Sequence, residues 1–289
     1  MRLRAHAKIN LDLRVLGTRA DGYHDISTVF QTIALHDVLT IEARPGPIEV
    51  TCDTVDVPVG EGNLCARAVR ALWAACGKPG EPAGVRVHVE KRVPMAAGLG
   101  GGSSDAATTL SGVARLWGLP AEDARVHGAA KAVGADVAFF LLGGTALGVG
   151  RGDELIPLPD PTPAEVVLVQ PHFGVSTPDA YRWCDELRAP LPAVRGLPRE
   201  PVGVPGACRN DLEPGVVVRH PEVAEIARRL RLSHARFTAM TGSGSVVFGL
   251  FGSNEEADHA ANVARDGTRR VIRTRLLGRA AFEQSRWGG

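Results

Sequence analysis

A run of glycine and serine between two patterned stretches constrains the fold of this chain more than any other feature. The run consists of Pro94, Met95, Ala96, Ala97, Gly98, Leu99, Gly100, Gly101, Gly102, Ser103 and Ser104. Residues 84–93 before it alternate as a strand does, and the apolar residues after it recur at helical spacing. We expect Ser103 or Ser104 to be the N-cap of that helix and Asp105 to lie in its first turn. The sequence therefore predicts a strand, a glycine loop and a helix N-terminus in direct succession.

Such a loop is a predicted binding site for phosphate groups. Glycines let the backbone fold closely around an anion, and the helix offers unpaired N–H groups and the positive end of its dipole. A Walker A loop would need a lysine before the final hydroxyl residue, whereas Gly102 is followed directly by Ser103. A dinucleotide fingerprint would need a third glycine and then a strand that ends in an acidic residue, but the next stretch is predicted to be a helix. A purely structural turn stays open, although so many glycines cost chain entropy.

Length and composition are those of a globular protein that acts on small molecules. A chain of 289 residues predicts two domains of similar size. The formal net charge of +1 offers no basic surplus, so we expect no nucleic-acid partner. The five cysteines are scattered and lack a C-x-x-C pair, which argues against disulfides and a zinc site and is typical of a reducing compartment. The N-terminus lacks a signal-peptide core and the most apolar stretch, residues 133–149, contains Asp136, so we expect a cytoplasmic protein with no membrane partner.

The first segment of the chain alternates with a period of two. Ile9 and Leu11 fall on one face, and Lys8, Asn10 and Asp12 fall on the other. This pattern predicts a half-buried strand with three polar side chains on one face. A solvated edge and a row of functional residues are both open from the pattern alone.

Further elements follow from periodicity and capping signals. The predicted strands are residues 28–35, 38–43, 166–169, 245–251 and 270–276, and the predicted helices are residues 63–75, 121–133, 177–187, 222–230 and 254–265. The proline-rich stretch 157–163 is the predicted linker, which divides the chain into residues 1–158 and residues 159–289. The strands and helices after the linker predict an α+β second domain of the ferredoxin-like kind. Residues 190–205 form a proline-rich segment to which we assign no role.

Three motifs resemble those of the GHMP kinases, the family of galactose, homoserine, mevalonate and phosphomevalonate kinases. The glycine loop is similar to the family's phosphate-binding motif, residues 7–11 (Ala-Lys-Ile-Asn-Leu) to its N-terminal motif, and residues 241–245 (Thr-Gly-Ser-Gly-Ser) to its C-terminal glycine loop. The resemblance implies an ATP-dependent small-molecule kinase. It also implies an α+β fold of two domains, an N-terminal ATP-binding domain like domain 2 of ribosomal protein S5 and a C-terminal ferredoxin-like domain.

Four further stretches resemble the branch of the family that phosphorylates a cytidylyl sugar alcohol of the non-mevalonate isoprenoid pathway. They are residues 19–24, 29–31, 134–137 and 210–213. The resemblance implies this small molecule as the partner, with ATP and Mg²⁺ as cofactors. Another kinase of the family, acting on homoserine or a sugar, and a nucleotide-binding module without turnover are the alternatives. Intact Lys8 and Asp136 favour an enzyme over such a module.

Asp136 and Lys8 are the predicted catalytic residues. Asp136 begins an apolar run, and from the residues alone a catalytic base and a helix cap are equally open. The resemblance implies that Asp136 takes the proton of the acceptor hydroxyl and that Lys8 stabilises charge on the acceptor oxygen. It also implies that residues 94–104 bind the phosphates of ATP, with Ser104 as a magnesium ligand.

Cytidine recognition is expected from Tyr23, His24, Phe30 and Tyr181. Aromatic faces stack on a pyrimidine, and an imidazole can hydrogen-bond its edge. Packing in the core or at the surface is the alternative for each of the four.

The remaining candidates are polar residues and the second glycine loop. The expected substrate contacts are Asn10, Asp12, Thr241, Gly242 and Ser243, and the expected adenosine contacts are Asn63 and Lys91. Asp12 stands where the motif leads us to expect an apolar residue, so its role is open. A helix cap would explain Asn63 nearly as well, and a surface position would explain Lys91.

Overall fold

The structure is a computed structural model and describes residues 1–54, 60–120, 122–187 and 209–287, so the segment 190–205 lies outside the described residues. Its strands are β1 (Arg2–Thr18), β2 (His24–Pro47), β3 (Glu49–Cys52), β4 (Ala83–Glu90), β5 (Thr145–Gly150), β6 (Glu154–Leu158), β7 (Glu165–Gln170), β8 (Phe237–Met240), β9 (Val247–Phe251) and β10 (Arg270–Arg275). Its helices are α1 (Leu64–Ala75), α2 (Gly101–Leu116), α3 (Ala124–Val133), α4 (Ala135–Leu142), α5 (Thr177–Leu187), α6 (Glu213–Arg219), α7 (Glu222–Leu232), α8 (Asn254–Ala264) and α9 (Arg279–Arg286), with a 3₁₀ turn at Gly60–Gly62. None of these described helices is long and apolar enough to cross a membrane.

The first sheet is built from the strands of the N-terminal half. Among the described residues its order is β3-β4-β2-β5-β6, and β1 pairs with β2 outside this path. The β3–β4 pair is parallel and all other pairs are antiparallel. Strand β2 is central because it is long enough to pair with β1, β4 and β5. Helices α1 to α4 cover one face, where Leu39, Leu72, Leu110 and Phe139 share one apolar core.

The second sheet has the order β10-β7-β9-β8 and is antiparallel throughout. This second sheet has two apolar faces. Strand β7 shows the reason, because successive side chains of a strand point to opposite faces of the sheet. Val167 and Val169 pack with residues of helices α7 and α8, whereas Val166 and Leu168 pack towards the first sheet. Together the two sheets and their helices confirm the predicted α+β class.

A third apolar cluster joins the two sheets. It contains Ala7, Ile9 and Ile33 from the first sheet and Leu168 and Phe248 from the second. Strand β1 is therefore covered by α2 on one side and by the second sheet on the other.

The prediction that β1 is half-buried is wrong. Lys8, Asn10 and Asp12 are all buried, because neither face of the strand is left to solvent. A solvated edge is thereby excluded for these three side chains. Their polar atoms instead bond to other protein groups, as buried polar atoms must.

Three predictions about element boundaries are also wrong. The two strands expected at residues 28–35 and 38–43 form the single strand β2. The N-cap of α2 is Gly100, in the left-handed conformation with φ of +69°, so Ser103, Ser104 and Asp105 lie inside the helix. The backbone turns at a glycine there, and none of the described side chains caps the helix. Helix α3 begins at Ala124, because Asp123 caps it by accepting from the Arg125 N–H.

The C-terminal helix returns to the first sheet. Strands up to Leu158 belong to the first sheet and strands from Glu165 onwards belong to the second. Helix α9 nevertheless lies against β1, where Phe282 is buried. The division of the chain between residues 158 and 159 stays a prediction.

Candidate active site

A cavity of about 550 Å³ lies where the glycine loop, β1, α5 and the 241–245 loop meet. Its size is in the range of small-molecule sites, roughly 300–1,000 Å³. The predicted residues that line it are Lys8, Asn10, Phe30, Asn63, Lys91, Asp136, Tyr181, Gly242, Ser243 and residues 94–103. The predicted residues that do not line it are Asp12, Tyr23, His24, Ser104 and Thr241.

The two glycine loops touch each other. Gly98 has φ of +73°, and a Cβ on it would lie 2.0 Å from the carbonyl oxygen of Thr241. The Thr241 hydroxyl donates to the Gly98 carbonyl oxygen at 3.3 Å. Only glycine combines this conformation with so close an approach, so the contact fixes one loop against the other.

The N-terminus of α2 opens towards the cavity. Gly101, Gly102 and Ser103 line it, and the first N–H groups of a helix have no partner within the helix. These donors and the positive end of the helix dipole favour an anion. Ser104 is turned away and buried, and its hydroxyl donates to the His6 carbonyl oxygen at 2.6 Å.

Lys8 and Asp136 meet in the cavity. Lys8 Nζ lies 3.7 Å from Asp136 Oδ2 and donates to Asn10 Oδ1 at 2.6 Å. The lysine side chain is 4% exposed and the aspartate side chain, in the first turn of α4, is 35% exposed. Burial lowers the pKa of Lys8 from its ordinary 10.5, and the charge of Asp136 offsets only part of that effect. The site therefore pairs a desolvated cation with a carboxylate that solvent and ligands can reach.

The C-terminal glycine loop is held beside Lys8 by two asparagines. The backbone N–H of Asn10 donates to the Thr241 hydroxyl at 3.0 Å. Asn210 Nδ2 donates to the carbonyl oxygens of Met240 and Gly242, both at 2.8 Å. A Cβ on Gly242 would lie 3.2 Å from Lys8 Nζ, so the turn approaches the lysine directly.

Lys91 belongs to a buried network of charges in the cavity wall. Its Nζ lies 2.5 Å from Asp37 Oδ2 and 2.8 Å from Asp105 Oδ2. Asp37 Oδ1 also accepts the backbone N–H groups of Arg92 and Val93. Burial acts to lower the pKa of Lys91, but the charges of Asp105 and Asp37 outweigh it and raise that pKa. The alternative of a surface lysine is wrong.

Of the predicted aromatic residues, Tyr181 and Phe30 reach the cavity. The His24 ring stacks on Tyr181, with centroids 4.6 Å apart and planes at 24°. Phe30 packs on Phe139 at 4.8 Å, so part of its ring surface is already covered. Tyr23 is 56% exposed and lies outside the cavity.

Asp12 and Asn63 both have structural partners. The Asp12 carboxylate accepts from Arg14 Nε and from the Arg209 N–H, each at 2.9 Å, away from the cavity. Asn63 caps α1 by accepting from the Cys65 N–H at 2.8 Å, and it also lines the cavity. The alternative of a helix cap is therefore confirmed for Asn63, without removing it from the cavity wall.

Comparisons with known proteins assign the chain to a family. The models described as "GHMP kinases N terminal domain" and "GHMP kinases C terminal" match residues 63–144 and 204–269. A 4-diphosphocytidyl-2-C-methyl-D-erythritol kinase from Moorella thermoacetica is 42% identical over 95% of this chain and 98% of its own length. The chain belongs to the GHMP kinase family. The resemblance that its motifs carry is confirmed.

Other members of the GHMP kinase family agree with this assignment. A 4-diphosphocytidyl-2-C-methyl-D-erythritol kinase from Synechococcus sp. is 39% identical over 90% of this chain and 88% of its own length. A crystal structure of 4-(cytidine 5'-diphospho)-2C-methyl-D-erythritol kinase matches with a TM-score of 0.77 and 37% identity, over 96% of this chain and all of that one. A crystal structure of mevalonate kinase, 13% identical with a TM-score of 0.68 over 96% of this chain and 99% of that one, shares the fold. The two-domain GHMP kinase fold is therefore confirmed.

Several residues of this GHMP kinase site were not predicted from the sequence. Asn210 lies in a stretch that indicates the family, but its local sequence carries no signal for a role in the site. Asp37 gave no signal, because a single acidic residue between two apolar runs looks like a break between strands. Asp185 stands on the polar side of α5, where it looks like an ordinary solvated residue, yet it bonds to His24.

The described residues do not bring together three or more His, Cys, Asp or Glu side chains that could hold a metal ion. Ser104, the predicted magnesium ligand, uses its hydroxyl proton for the His6 carbonyl and lies outside the cavity lining. Ser103, one residue earlier, lines the cavity. Magnesium and its serine ligand stay predictions.

Proposed function

We propose that this GHMP kinase transfers the terminal phosphoryl group of ATP to the 2-hydroxyl of 4-diphosphocytidyl-2-C-methyl-D-erythritol, in non-mevalonate isoprenoid precursor biosynthesis. One observation carries the proposal: Lys8 and Asp136 lie 3.7 Å apart in a cavity that a glycine loop at a helix N-terminus helps to line. The names of relatives that match over most of the chain support this choice of substrate.

The two charged residues have complementary tasks in this reaction. A bond forms between the acceptor oxygen and phosphorus, the bond from phosphorus to the bridging oxygen breaks, and ADP leaves. Asp136 takes the proton of the acceptor hydroxyl, and its partial exposure leaves room for an alcohol to approach. Lys8 stabilises the negative charge that develops on the acceptor oxygen, and burial strengthens this effect because the local dielectric constant is low. Phosphoryl transfer needs mainly such positioning and charge stabilisation.

The walls of the cavity divide between the two ligands in this proposal. The N–H groups at Gly101 to Ser103 bind the phosphates of ATP, and Lys91 and Asn63 lie near its nucleoside. Tyr181 stacks on the pyrimidine of the acceptor, since it is the predicted aromatic residue that both lines the cavity and contacts His24. Gly242 and Ser243 close the site beside Lys8.

We also propose that ATP is used as its magnesium complex and that the enzyme works in the cytoplasm. Magnesium in kinase sites is held largely by phosphates and water, so it needs few protein ligands. The four cysteines in the described part of the chain are free thiols, which supports a reducing compartment.

The first test is ADP release from ATP and magnesium with three acceptors. We expect turnover with 4-diphosphocytidyl-2-C-methyl-D-erythritol and none with homoserine or galactose. Turnover with homoserine or galactose alone would keep the kinase chemistry and refute the acceptor. Nucleotide binding without turnover on any acceptor would favour the non-catalytic module.

The second test addresses the base. Asp136→Asn should lower turnover by roughly 10² to 10⁴, the range for loss of a general base. Its ATP affinity should stay within about twofold of the unmodified enzyme, because the residue acts on the acceptor. Glu255→Gln, an exposed acid of α8, is the matched control and should leave turnover unchanged. Near-normal turnover of Asp136→Asn would require another base.

A further inference from the structure

Asp185 and His24 form a close pair beside the cavity. His24 Nε2 lies 2.9 and 3.0 Å from the two carboxylate oxygens of Asp185, which reaches it from α5. The His24 side chain is 12% exposed and the Asp185 side chain is 46% exposed. The ring of His24 also stacks on Tyr181, which lines the cavity. The imidazole is therefore held on one face by Tyr181 and at one nitrogen by Asp185.

The bond to Asp185 decides which nitrogen of His24 carries the proton. An ionised carboxylate can only accept hydrogen bonds, so Nε2 is the donor. In a neutral imidazole the other nitrogen is then an acceptor with a free lone pair. Among the described residues, none hydrogen-bonds to Nδ1 of His24. Nδ1 of a neutral histidine can be either a donor or an acceptor. The bond from Nε2 to Asp185 makes Nδ1 of His24 an acceptor.

An acceptor at this place discriminates between the two common pyrimidines. Cytosine carries an exocyclic amino group, which donates, whereas a carbonyl oxygen, which accepts, occupies the same position in uracil. We propose that Asp185 is a positioning residue that fixes the His24 tautomer and thereby makes the site prefer a cytidylyl over a uridylyl acceptor. This inference rests on the proposed function and assigns the base specificity of the same site to a residue that touches His24 and not the substrate.

The test compares the cytidylyl substrate with its uridylyl analogue at about pH 8, above the range in which an ordinary imidazole is charged. Two variants are used. Asp185→Ala removes the acceptor, and Asp185→Asn offers an amide that can also donate to Nε2 and so permits the other tautomer. Because Asp185 is half exposed, we expect both variants to fold, and a thermal unfolding scan checks it.

We expect the KM for the cytidylyl substrate to rise roughly tenfold in both variants, as for the loss of one hydrogen bond, while kcat stays within about twofold. The KM for the uridylyl analogue should stay the same or fall, so the preference for cytidine drops by about tenfold. Glu186→Gln is the matched control, since Glu186 is the next residue of α5 and pairs with Arg182 on the surface. It should leave both KM values unchanged.

Two results would overturn the inference without touching the proposed function. One is an unchanged preference for cytidine in both variants. The other is an equal rise in KM for the two substrates, which would indicate a structural role. If the unmodified enzyme turns over neither pyrimidine substrate, the proposed function fails and the inference fails with it.

Discussion

The network of Lys91, Asp37 and Asp105 provides a quantitative test of how the cavity wall is held together. Lys91→Met removes the cation but leaves two carboxylates that are almost fully buried. Removing one partner of a buried charge pair costs about 3–5 kcal/mol, because the other charge stays behind uncompensated. Asp37 keeps the backbone donors of Arg92 and Val93, so we expect about 4 kcal/mol, within that range.

Urea unfolding followed by far-ultraviolet circular dichroism measures this loss. With a slope of about 3 kcal/mol/M for a chain of this length, the midpoint should fall by about 1.3 M. The sign of the pH dependence follows from the raised pKa of Lys91. The cation stabilises the fold fully below the ordinary pKa of 10.5, and its contribution is lost only as the pH rises further. Burial and the charge of Asp37 raise the pKa of Asp105 to about 8, so this carboxylate loses its proton between about pH 7 and about pH 9. The effect of Lys91→Met should therefore grow over that range, because the Lys91 cation stabilises the ionised form.

Two further variants separate burial from charge. Arg2→Met breaks the exposed pair with Glu90, which lies at 3.0 Å, and should cost less than about 1 kcal/mol. The double variant Lys91→Met/Asp105→Asn neutralises one of the stranded carboxylates and should recover part of the loss. We expect the urea midpoint to fall much further for Lys91→Met than for Arg2→Met. If the midpoints of the two variants fell by the same small amount, the claim that Lys91 compensates these buried charges would be refuted.

Three other predictions concern the lysine, the loop and the C-terminal helix. Because burial lowers the pKa of Lys8, kcat should fall as the pH rises, with an alkaline midpoint below 10.5; a pH profile that is flat up to that value would contradict this. Gly98→Ala should destabilise the fold and reduce turnover at least about tenfold, because its Cβ would clash with Thr241. Gly84→Ala is the control, since Gly84 also has positive φ but has open space around it; this variant should show only the backbone cost of about 1–2 kcal/mol in urea unfolding. Phe282→Ala should cost about 3–5 kcal/mol in thermal unfolding, and a loss below about 1 kcal/mol would mean that α9 is not part of the core.

The elements of the fold that could be predicted are those whose periodicity and boundary residues lie within the segment itself. Helix α5 covers residues 177–187, as predicted, because its periodicity and boundaries lie within the segment itself. The long strand β2 could not be predicted, because His36 and Asp37 interrupt its apolar pattern. Asp37 can stay in a buried strand only because Lys91 and two backbone N–H groups from elsewhere in the chain meet its carboxylate.

In the site, too, features with a local sequence signal could be predicted and features that depend on backbone conformation or on distant residues could not. The glycine loop and the charged residues Lys8 and Asp136 were predicted, since short motifs carry them. The start of α2 was not, because a side-chain cap is the usual signal and here Gly100 takes that place through its backbone conformation. The pair of His24 and Asp185 is 161 residues apart in sequence, and no periodicity or local motif indicates a contact over that distance.

The position of Lys8, which we propose as a catalytic residue, depends on both halves of the chain. Asn10 accepts from Lys8, donates through Nδ2 to Thr28, and donates through its backbone to Thr241 of the C-terminal loop. The apolar cluster between the two sheets sets the distance over which these bonds can form. Protein interiors are close-packed and deform little, so Lys8 would move with the first sheet and Thr241 with the second. A shift of one sheet against the other would therefore separate these two residues. The geometry that we propose for phosphoryl transfer is therefore a property of the packing between the two sheets, and neither half of the chain carries it alone.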